Sequence, residues 1–465
     1  MRCLALLVAA ALAGCTSTGP DGGFGDVADA VASRSGAETR WVRSDEDAKA
    51  VREQVSALLA KPLAAEDAVR IALVNNPGLQ AAYAELGIAR GDLFTAGVLP
   101  NPHLSYERAR RGDTTTVETV ISFNILSLLT VPIRMQAQAE RFEQVKQATA
   151  AEAVRVAAEA RKAYFRAVAA AQLAAYMEDV KATTEASAEL ARRMAGAGNF
   201  SRLDYMREQA FYGETAAQLA RARQLAVAER ERLVRLLGLW GEQARLQLPE
   251  RMPDLPVAPH ELPDAEQTAM EQRLDLRAAR RDAEALARTL GFTKVTRFID
   301  EFELGVTRES ETGEALKKGW EIGVAIPLFD WGIGRVTRAE AMYMQAASRV
   351  AETAINARSE VRENYQHYRT AYDVARHYRD ELVPLRKRIS EEVLLRYNGM
   401  LASTFELLSD AREQVAAVAT AIDHQREFWV AEADLNTALV GRSPSPRGAT
   451  FAVPTSASGA RAGAH

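Results

Sequence analysis

Residues 133–195 read IRMQAQAERFEQVKQATAAEAVRVAAEARKAYFRAVAAAQLAAYMEDVKATTEASAELARRMA. The run holds neither glycine nor proline, and Ala, Glu, Arg and Gln, which favour helix, dominate it. At 1.5 Å per residue, a helix over this run would be roughly 95 Å long. Globular domains seldom use helices of more than about 25 residues, so the length points to a coiled coil, a bundle or a helical array. The Ala-rich middle, Ala148 to Ala175, fits close helix packing and fits a plain coiled coil equally well. A second run of nearly the same length, Arg335 to Asn398, is interrupted only by Pro384. A proline there removes one backbone bond and should bend the second rod where the first stays straight. A chain with two such rods is built to bridge a distance.

Each rod follows a stretch of different period. Val117, Thr119, Ile121, Phe123 and Ile125 alternate with Thr116, Glu118, Val120, Ser122 and Asn124, as in a strand with one apolar face. His103 to Arg110 alternates less cleanly, and Arg111-Gly112-Asp113-Thr114 supplies a turn, so residues 103–125 predict a β-hairpin. A second hairpin is expected over 296–328. There Phe298, Phe302, Leu304 and Val306 alternate with Ile299, Glu301, Glu303, Gly305 and Thr307, and Asp300 falls on the apolar side. Its partner strand sets Trp320, Ile322, Val324, Ile326 and Leu328 against Glu321, Gly323 and Ala325.

The order repeats. Helices over 63–74 and 79–98, broken at Asn75-Asn76-Pro77-Gly78 and stopped by Pro100-Asn101-Pro102, precede the first hairpin, and Leu79-Gln80-Ala81-Ala82 is echoed by Leu276-Arg277-Ala278-Ala279. After each rod comes a glycine turn, Gly198 or Gly399, and then a serine with an acidic residue three further on: Ser201 with Asp204, Ser403 with Glu406. This is the pattern of a helix N-terminus, in which the serine oxygen accepts from a free backbone N–H and the carboxylate suits the positive end of the dipole. Two such starts about 200 residues apart indicate duplication. The first repeat is read over 62–242, a Pro-rich linker over 243–263 and the second repeat over 264–441, with a disordered tail expected at 442–465. Two shorter helices stacked end to end would cover the length of each rod.

The 465 residues are 48% hydrophobic and 26% charged, ordinary for a folded protein, and the formal charge of −4 supplies no basic field for nucleic acid. Residues 1–14 combine Arg2, an apolar run and small residues, which describes an export signal. Leu12-Ala13-Gly14-Cys15 resembles the lipobox of bacterial lipoproteins, which implies acylation of Cys15 at the head of a tethering segment, 15–61. Thr16, in place of an aspartate, implies an outer-membrane destination. Removal of the signal takes Cys3 with it and leaves no intrachain disulfide partner for Cys15. No later stretch of 18 apolar residues could cross a bilayer as a helix.

The lipobox, the duplicated helix–hairpin–long helix–helix order, Asn76-Pro77-x-Leu79, Leu99-Pro100-Asn101-Pro102, Ile326-Pro327-Leu328-Phe329 and the two tips together resemble the TolC family of outer-membrane efflux proteins, over about Pro62 to Gly441. The lipoprotein branch that serves RND-type pumps is the best likeness. The resemblance implies a mostly α fold with a membrane β-barrel portion: a homotrimer with a twelve-stranded β-barrel, four strands from each chain, on a long antiparallel coiled-coil α-barrel. It further implies a periplasmic adaptor, an inner-membrane transporter and no covalent chemistry. The chain departs from the pattern at Phe123-Asn124-Ile125-Leu126, where Pro-Leu-Phe is absent, and at Arg273-Leu274-Asp275-Leu276, where the first repeat has Asn76-Pro77-Gly78-Leu79.

Four strands cannot close, and an open sheet edge is not tolerated against lipid, so hairpins in a membrane demand oligomerisation. Phe123, Phe302, Trp320 and Ile322 would then face outer-membrane lipid, with Glu118, Glu301, Glu303 and Glu321 on a watery lumen. The alternative is a soluble β-layer over the helices. In the family the tunnel narrows at the helix tips, so Glu391, Glu392, Arg396 and Asp410, beside Glu406, are candidates for gating or cation selectivity. The bland reading is charges solvating a coiled-coil face. His367 and His377 stand about 80° apart on a helix, and Met342 and Met344 do not share a face, so no metal site is read. No nucleophile motif, phosphate loop or scaffolded carboxylate pair is present, and no cofactor is expected. Three functions remain open at this point: the exit duct of a tripartite efflux pump, an outer-membrane component of type I protein secretion, and a lipid-tethered periplasmic scaffold.

Overall fold

The computed structural model describes residues 21–298, 302–325 and 329–441. The signal segment, Cys15, Asp300, Glu301, Ile326 to Leu328 and the tail beyond Gly441 lie outside the described residues.

Two helices precede the first repeat: α1 (Phe24–Ser35) and α2 (Asp45–Leu59). Gly36, in the left-handed region at φ 68°, ends α1, and Ser44 caps α2 by accepting from the Asp47 N–H. The first repeat runs α3 (Ala65–Asn75), α4 (Pro77–Gly97), β1 (His103–Arg111), β2 (Thr114–Asn124), a short α5 (Ile125–Leu129), the rod α6 (Val131–Gly196) and α7 (Arg202–Leu237). The second runs α8 (Ala265–Gln272), α9 (Leu274–Thr296), β3 (Phe302–Glu311), β4 (Lys317–Val324), α10 (Ile333–His377), a π turn (Tyr378–Leu382), α11 (Val383–Asn398) and α12 (Thr404–Val440). Among the described residues no helix is long and apolar enough to cross a membrane.

The first rod is one α-helix of 66 residues. The second is not continuous. Pro384 has no N–H to donate, and the helix meets that defect just upstream by widening for one turn, where the Val383 N–H bonds the Tyr378 carbonyl five residues back. The expected disturbance at Pro384 thus takes the form of a π turn between two α-helices. A smaller difference concerns Phe298, read from alternation as a strand residue. Nothing after Gly291 stops the helix, so α9 continues to Thr296 and Phe298 lies in the turn beyond it, under the Arg297 guanidinium at 4.1 Å.

The main core forms around the Ala-rich middle of α6, where Ala153, Ala160, Ala163 and Ala167 are buried against Ile71, Leu73, Leu79 and Leu237. Small side chains let the neighbouring helices approach closely, which is why this stretch lacks a single apolar stripe. A second core joins α8, α10 and α12 through Tyr368, Tyr372 and Phe428. Trp429 bridges the two, stacking on Phe165 at 5.1 Å. The Pro-rich segment between the repeats is fastened to this junction: the Pro253 carbonyl accepts from Gln425 Nε2 at 2.8 Å and Trp429 Nε1 at 3.2 Å, and the Val257 carbonyl from the Tyr372 hydroxyl at 2.8 Å. The extension packs on the same rod. Asp26 of α1 pairs with Lys146 Nζ at 2.6 Å, and a Cβ on Gly23 would come within 2.7 Å of the Phe142 ring, so only glycine fits.

In both repeats the helix that leads to the hairpin begins where the returning helix ends, and the junction is clamped by side chains. In the first, Asn76 Nδ2 donates to the Leu236 carbonyl at 2.7 Å, and Asn75 Nδ2 to the Leu237 and Gly238 carbonyls at 2.9 and 3.0 Å. These are among the last carbonyls of α7, which have no partner within the helix. In the second, Arg273, only 1% exposed, donates to the Ala438 carbonyl at 3.2 Å. It also grips Asp275 through two bonds, at 3.0 and 2.6 Å, and Glu360 of α10 at 2.9 Å. The departure of Arg273-Leu274-Asp275 from Asn-Pro-Gly is thus a different solution to one problem.

Candidate functional site: the strand sheet and the helix tips

The two hairpins join into one antiparallel sheet in the order β1-β2-β3-β4. Pairing is one-to-one throughout, without a bulge, so side-chain alternation holds across all four strands. One row reads Leu104, Ile121, Val306, Trp320, and the next on the same face Phe123, Leu304, Ile322. Phe302 opposite Val324 continues it toward the helices. Phe123, Phe302, Trp320 and Ile322 therefore share a face, and most of its apolar side chains are exposed in the single chain. The opposite face carries Glu118 and Glu309 in one row, Glu321 in another and Glu303 in a third. Its glycines have a steric reason: a Cβ on Gly305 would come within 2.6 Å of the Glu321 carboxylate, and one on Gly319 within 2.8 Å of the Thr307 hydroxyl. Both outer strands, β1 and β4, present an unpaired edge among the described residues.

At the other end of the molecule the two helix tips turn alike. In the first, the Gly198 N–H bonds the Ala195 carbonyl and the Asn199 N–H the Met194 carbonyl, with Gly198 at φ 77°. In the second, the Met400 N–H bonds Tyr397 and the Leu401 N–H bonds Arg396, with Met400 at φ 59°. Gly399 keeps a negative φ of −82°, so the left-handed position that a glycine fills in the first tip is held by a methionine in the second. Met400 is 93% exposed.

Beyond the turns, Ser201 accepts from the Asp204 N–H at 3.0 Å and Ser403 from the Glu406 N–H at 3.2 Å. The longer Glu406 also reaches back to accept from the Ser403 N–H at 2.8 Å, completing a reciprocal cap. Asp204 is one methylene shorter and instead accepts from its own capping serine hydroxyl at 2.6 Å and from Arg207 at 3.2 Å.

The tip candidates separate into two groups. Glu391 is exposed, and Glu392 pairs with Arg396 at 3.1 Å one turn on, both well exposed. Glu392 and Arg396 lie on one stripe of α11 with Leu385, Arg388 and Ile389. An exposed pair of this kind contributes about 0.3–0.5 kcal/mol. Asp410 does not join them. It is buried on α12, and among the described residues its Oδ2 has no hydrogen-bond partner.

Side chains not singled out in the sequence hold the two tips to each other. Arg207 of α7 lies over the Phe405 ring of α12 at 5.1 Å, and Arg412 of α12 lies over the Phe211 ring of α7 at 5.0 Å while pairing with Glu214 at 3.3 Å. Each helix thus offers a cation to the other's aromatic ring. Beside them Glu208 is buried and accepts from Ser187 at 3.0 Å; burial pushes its carboxyl above the usual range, and Asp204 adds to the shift against the opposing pull of Ser187 and Arg412. No periodicity signals these pairs, because each depends on a partner some 200 residues away.

Among the described residues no group of three or more His, Cys, Asp or Glu side chains is placed to hold a metal ion. The arrangement offers a sheet with one apolar and one acidic face at one end, and a paired helical tip at the other.

No family model matches the chain. Over 279 residues, 58% of its length, it is 28% identical to the cobalt-zinc-cadmium resistance protein CzcC of Cupriavidus metallidurans, and it spans 63% of that relative's length. Among solved structures, the CmeC outer membrane channel of Campylobacter jejuni superposes with a TM-score of 0.70 at 18% identity, over 86% of this chain and 89% of that one. CusC superposes at 0.67 and 18% identity, over 84% of this chain and 92% of that one. The expected fold is borne out: the chain has the mostly helical fold with a small antiparallel sheet that these outer-membrane channels share.

Proposed function

We propose that three copies of the chain form the outer-membrane exit duct of a tripartite efflux pump, receiving cargo from a periplasmic adaptor and an inner-membrane transporter of the RND type. The observation that carries this reading is the four-stranded sheet with a continuous apolar face and two open edges. Such edges are not tolerated against lipid, and single-chain barrels start at about eight strands. Three sheets joined β4 to β1 would close the barrel, with Phe123, Phe302, Trp320 and Ile322 toward lipid and the glutamate face toward the lumen. The rods then extend into the periplasm, and a lipid on Cys15 adds a second anchor.

The similarity to the cobalt-zinc-cadmium resistance protein CzcC supports metal cations as cargo, and an acidic lumen favours cations over anions. At the tip, Glu391, Glu392, Arg396 and Asp410 form the gate: Glu392 and Arg396 line the free stripe of α11 with Glu391 exposed beside them, and a buried Asp410 whose Oδ2 has no partner among the described residues makes the closed packing easy to release. Adaptor contact opens it.

Planar-bilayer conductance of the full-length protein tests this. A small conductance that rises on changing Arg396 and Asp410 to Ala is the expected result. Conductance indifferent to both substitutions would remove the gate, and a protein that neither inserts nor conducts would favour the tethered scaffold.

A further inference from the structure

The register of the sheet sorts charge by face. On the apolar face the four strands carry Arg108, Arg110, Arg308 and Lys318, and among the described strand residues no acidic side chain. On the opposite face they carry six glutamates, Glu107, Glu118, Glu303, Glu309, Glu311 and Glu321. All four cations lie beyond the apolar rows, toward the hairpin turns and away from the helices. Arg308 and Lys318 are direct cross-strand partners on that face. Like charges so placed repel, their Cβ atoms standing about 4.5–5.5 Å apart. Lys317, one residue away on the other face, lies within 3.5–3.8 Å of Glu309, Glu311 and Glu314. Among the described residues the four cations on the apolar face pair with no such carboxylate, and they are exposed.

We infer that this basic rim binds the phosphate groups of a phosphorylated glycolipid in the outer leaflet. The inference rests on the proposed function, which puts the apolar rows against lipid and the turns at the outer surface. The rim continues the lipid-facing surface, and its charge complements phosphate. A bridging phosphate removes the repulsion between Arg308 and Lys318. Two adjacent cations offer one phosphate two charge-assisted partners, the Arg308 fork supplying parallel N–H donors. Tyr106, in the same row with Thr119 between it and Arg308, gives the sugar ring a flat apolar surface at the boundary.

The test uses full-length protein purified in detergent and three lipids: the bis-phosphorylated glycolipid, its dephosphorylated counterpart and phosphatidylglycerol. Retention is read by native mass spectrometry. The bis-phosphorylated glycolipid should bind in preference to both others. The variant R308Q/K318Q should weaken it about fivefold for each charge removed, R308K/K318R should retain binding, and added salt should weaken it. Equal retention of the dephosphorylated form, or retention unchanged in R308Q/K318Q, would overturn the inference, and phosphatidylglycerol binding as tightly as the glycolipid would overturn the choice of ligand. Conductance of the same preparation separates the two levels: a conducting channel without glycolipid preference sinks this inference alone, whereas a preparation that fails to insert sinks the function on which it rests.

Discussion

The two repeats share one plan and differ in how they solve its local problems. Where the first rod is a single helix of 66 residues, the second is divided by a π turn in front of Pro384. Where two asparagines clamp the first junction with neutral hydrogen bonds, a buried arginine with two carboxylates clamps the second. Where glycine takes the left-handed position of the first tip, methionine takes it in the second. Each difference puts strain or charge into the second repeat, while the first takes the low-energy choice. The first repeat is thus the stiffer frame, and the second is where the fold can yield at modest cost.

The largest expected effect is at the clamps. Arg273→Ala leaves Asp275 and Glu360 without their buried cation and should cost about 3–5 kcal/mol, whereas Asn76→Ala removes neutral hydrogen bonds and should cost about 1–2 kcal/mol. Thermal unfolding of the two variants decides it, and equal losses would erase the contrast between charged and neutral junctions.

Next is the π turn. Pro384→Ala restores the missing donor, so the second rod should close into a regular α-helix and amide exchange over residues 378–388 should slow by a factor corresponding to about 1–3 kcal/mol. Unchanged exchange would mean that the π turn belongs to its surroundings, such as the contact of Tyr378 with the His424 ring at 4.7 Å, and that the proline only tolerates it.

The tips allow a reciprocal exchange. Met400→Gly should relieve the left-handed strain of a non-glycine residue and stabilise the tip by up to about 1 kcal/mol, and Gly198→Met should destabilise by about 1–2 kcal/mol. The measurement is the chemical-denaturation midpoint of each variant. Two substitutions that move it the same way would show that the two turns are not equivalent.

The smallest effect concerns Glu208. Its carboxyl is raised in the folded protein, chiefly by burial, so the folded state binds a proton more readily than the unfolded one. Stability therefore gains as pH falls from neutral through the raised value, and the gain is complete below the unfolded value near 4.5. Glu208→Gln should remove that dependence and stabilise at neutral pH by about 1 kcal/mol or less, since glutamine can still accept from Ser187. A difference between wild type and variant that stays flat from pH 7 to pH 4 would contradict it.

Much of this architecture is legible in the residues because it rests on local signals. A run of 63 residues without glycine or proline can hardly be other than a long helix, strict alternation about Phe123 marks a strand, and the Ser-x-x-acidic tips announce helix starts. What local signals do not carry is how a defect is absorbed. Pro384 predicts a disturbance, yet whether the helix bends, breaks or widens depends on what packs against it. Gly399 looks like the turn glycine, but the geometry shifts the left-handed residue to Met400. Phe298 fits an alternating pattern by chance, since the helix before it has no stop. Asp410 reads as a tip carboxylate beside Glu391 and Glu392 and is buried instead, a fact set by the packing around α12. The paired contacts of Arg207 with Phe405 and Arg412 with Phe211 join the two repeats and have no sequence signature.

On the proposed function, the sheet of one chain is completed by its copies. Native mass spectrometry of the full-length protein released from detergent micelles tests it most directly. The expected result is a complex of three chains that survives dilution, because separating it exposes the edges of β1 and β4. A stable monomer with its strands intact would contradict it.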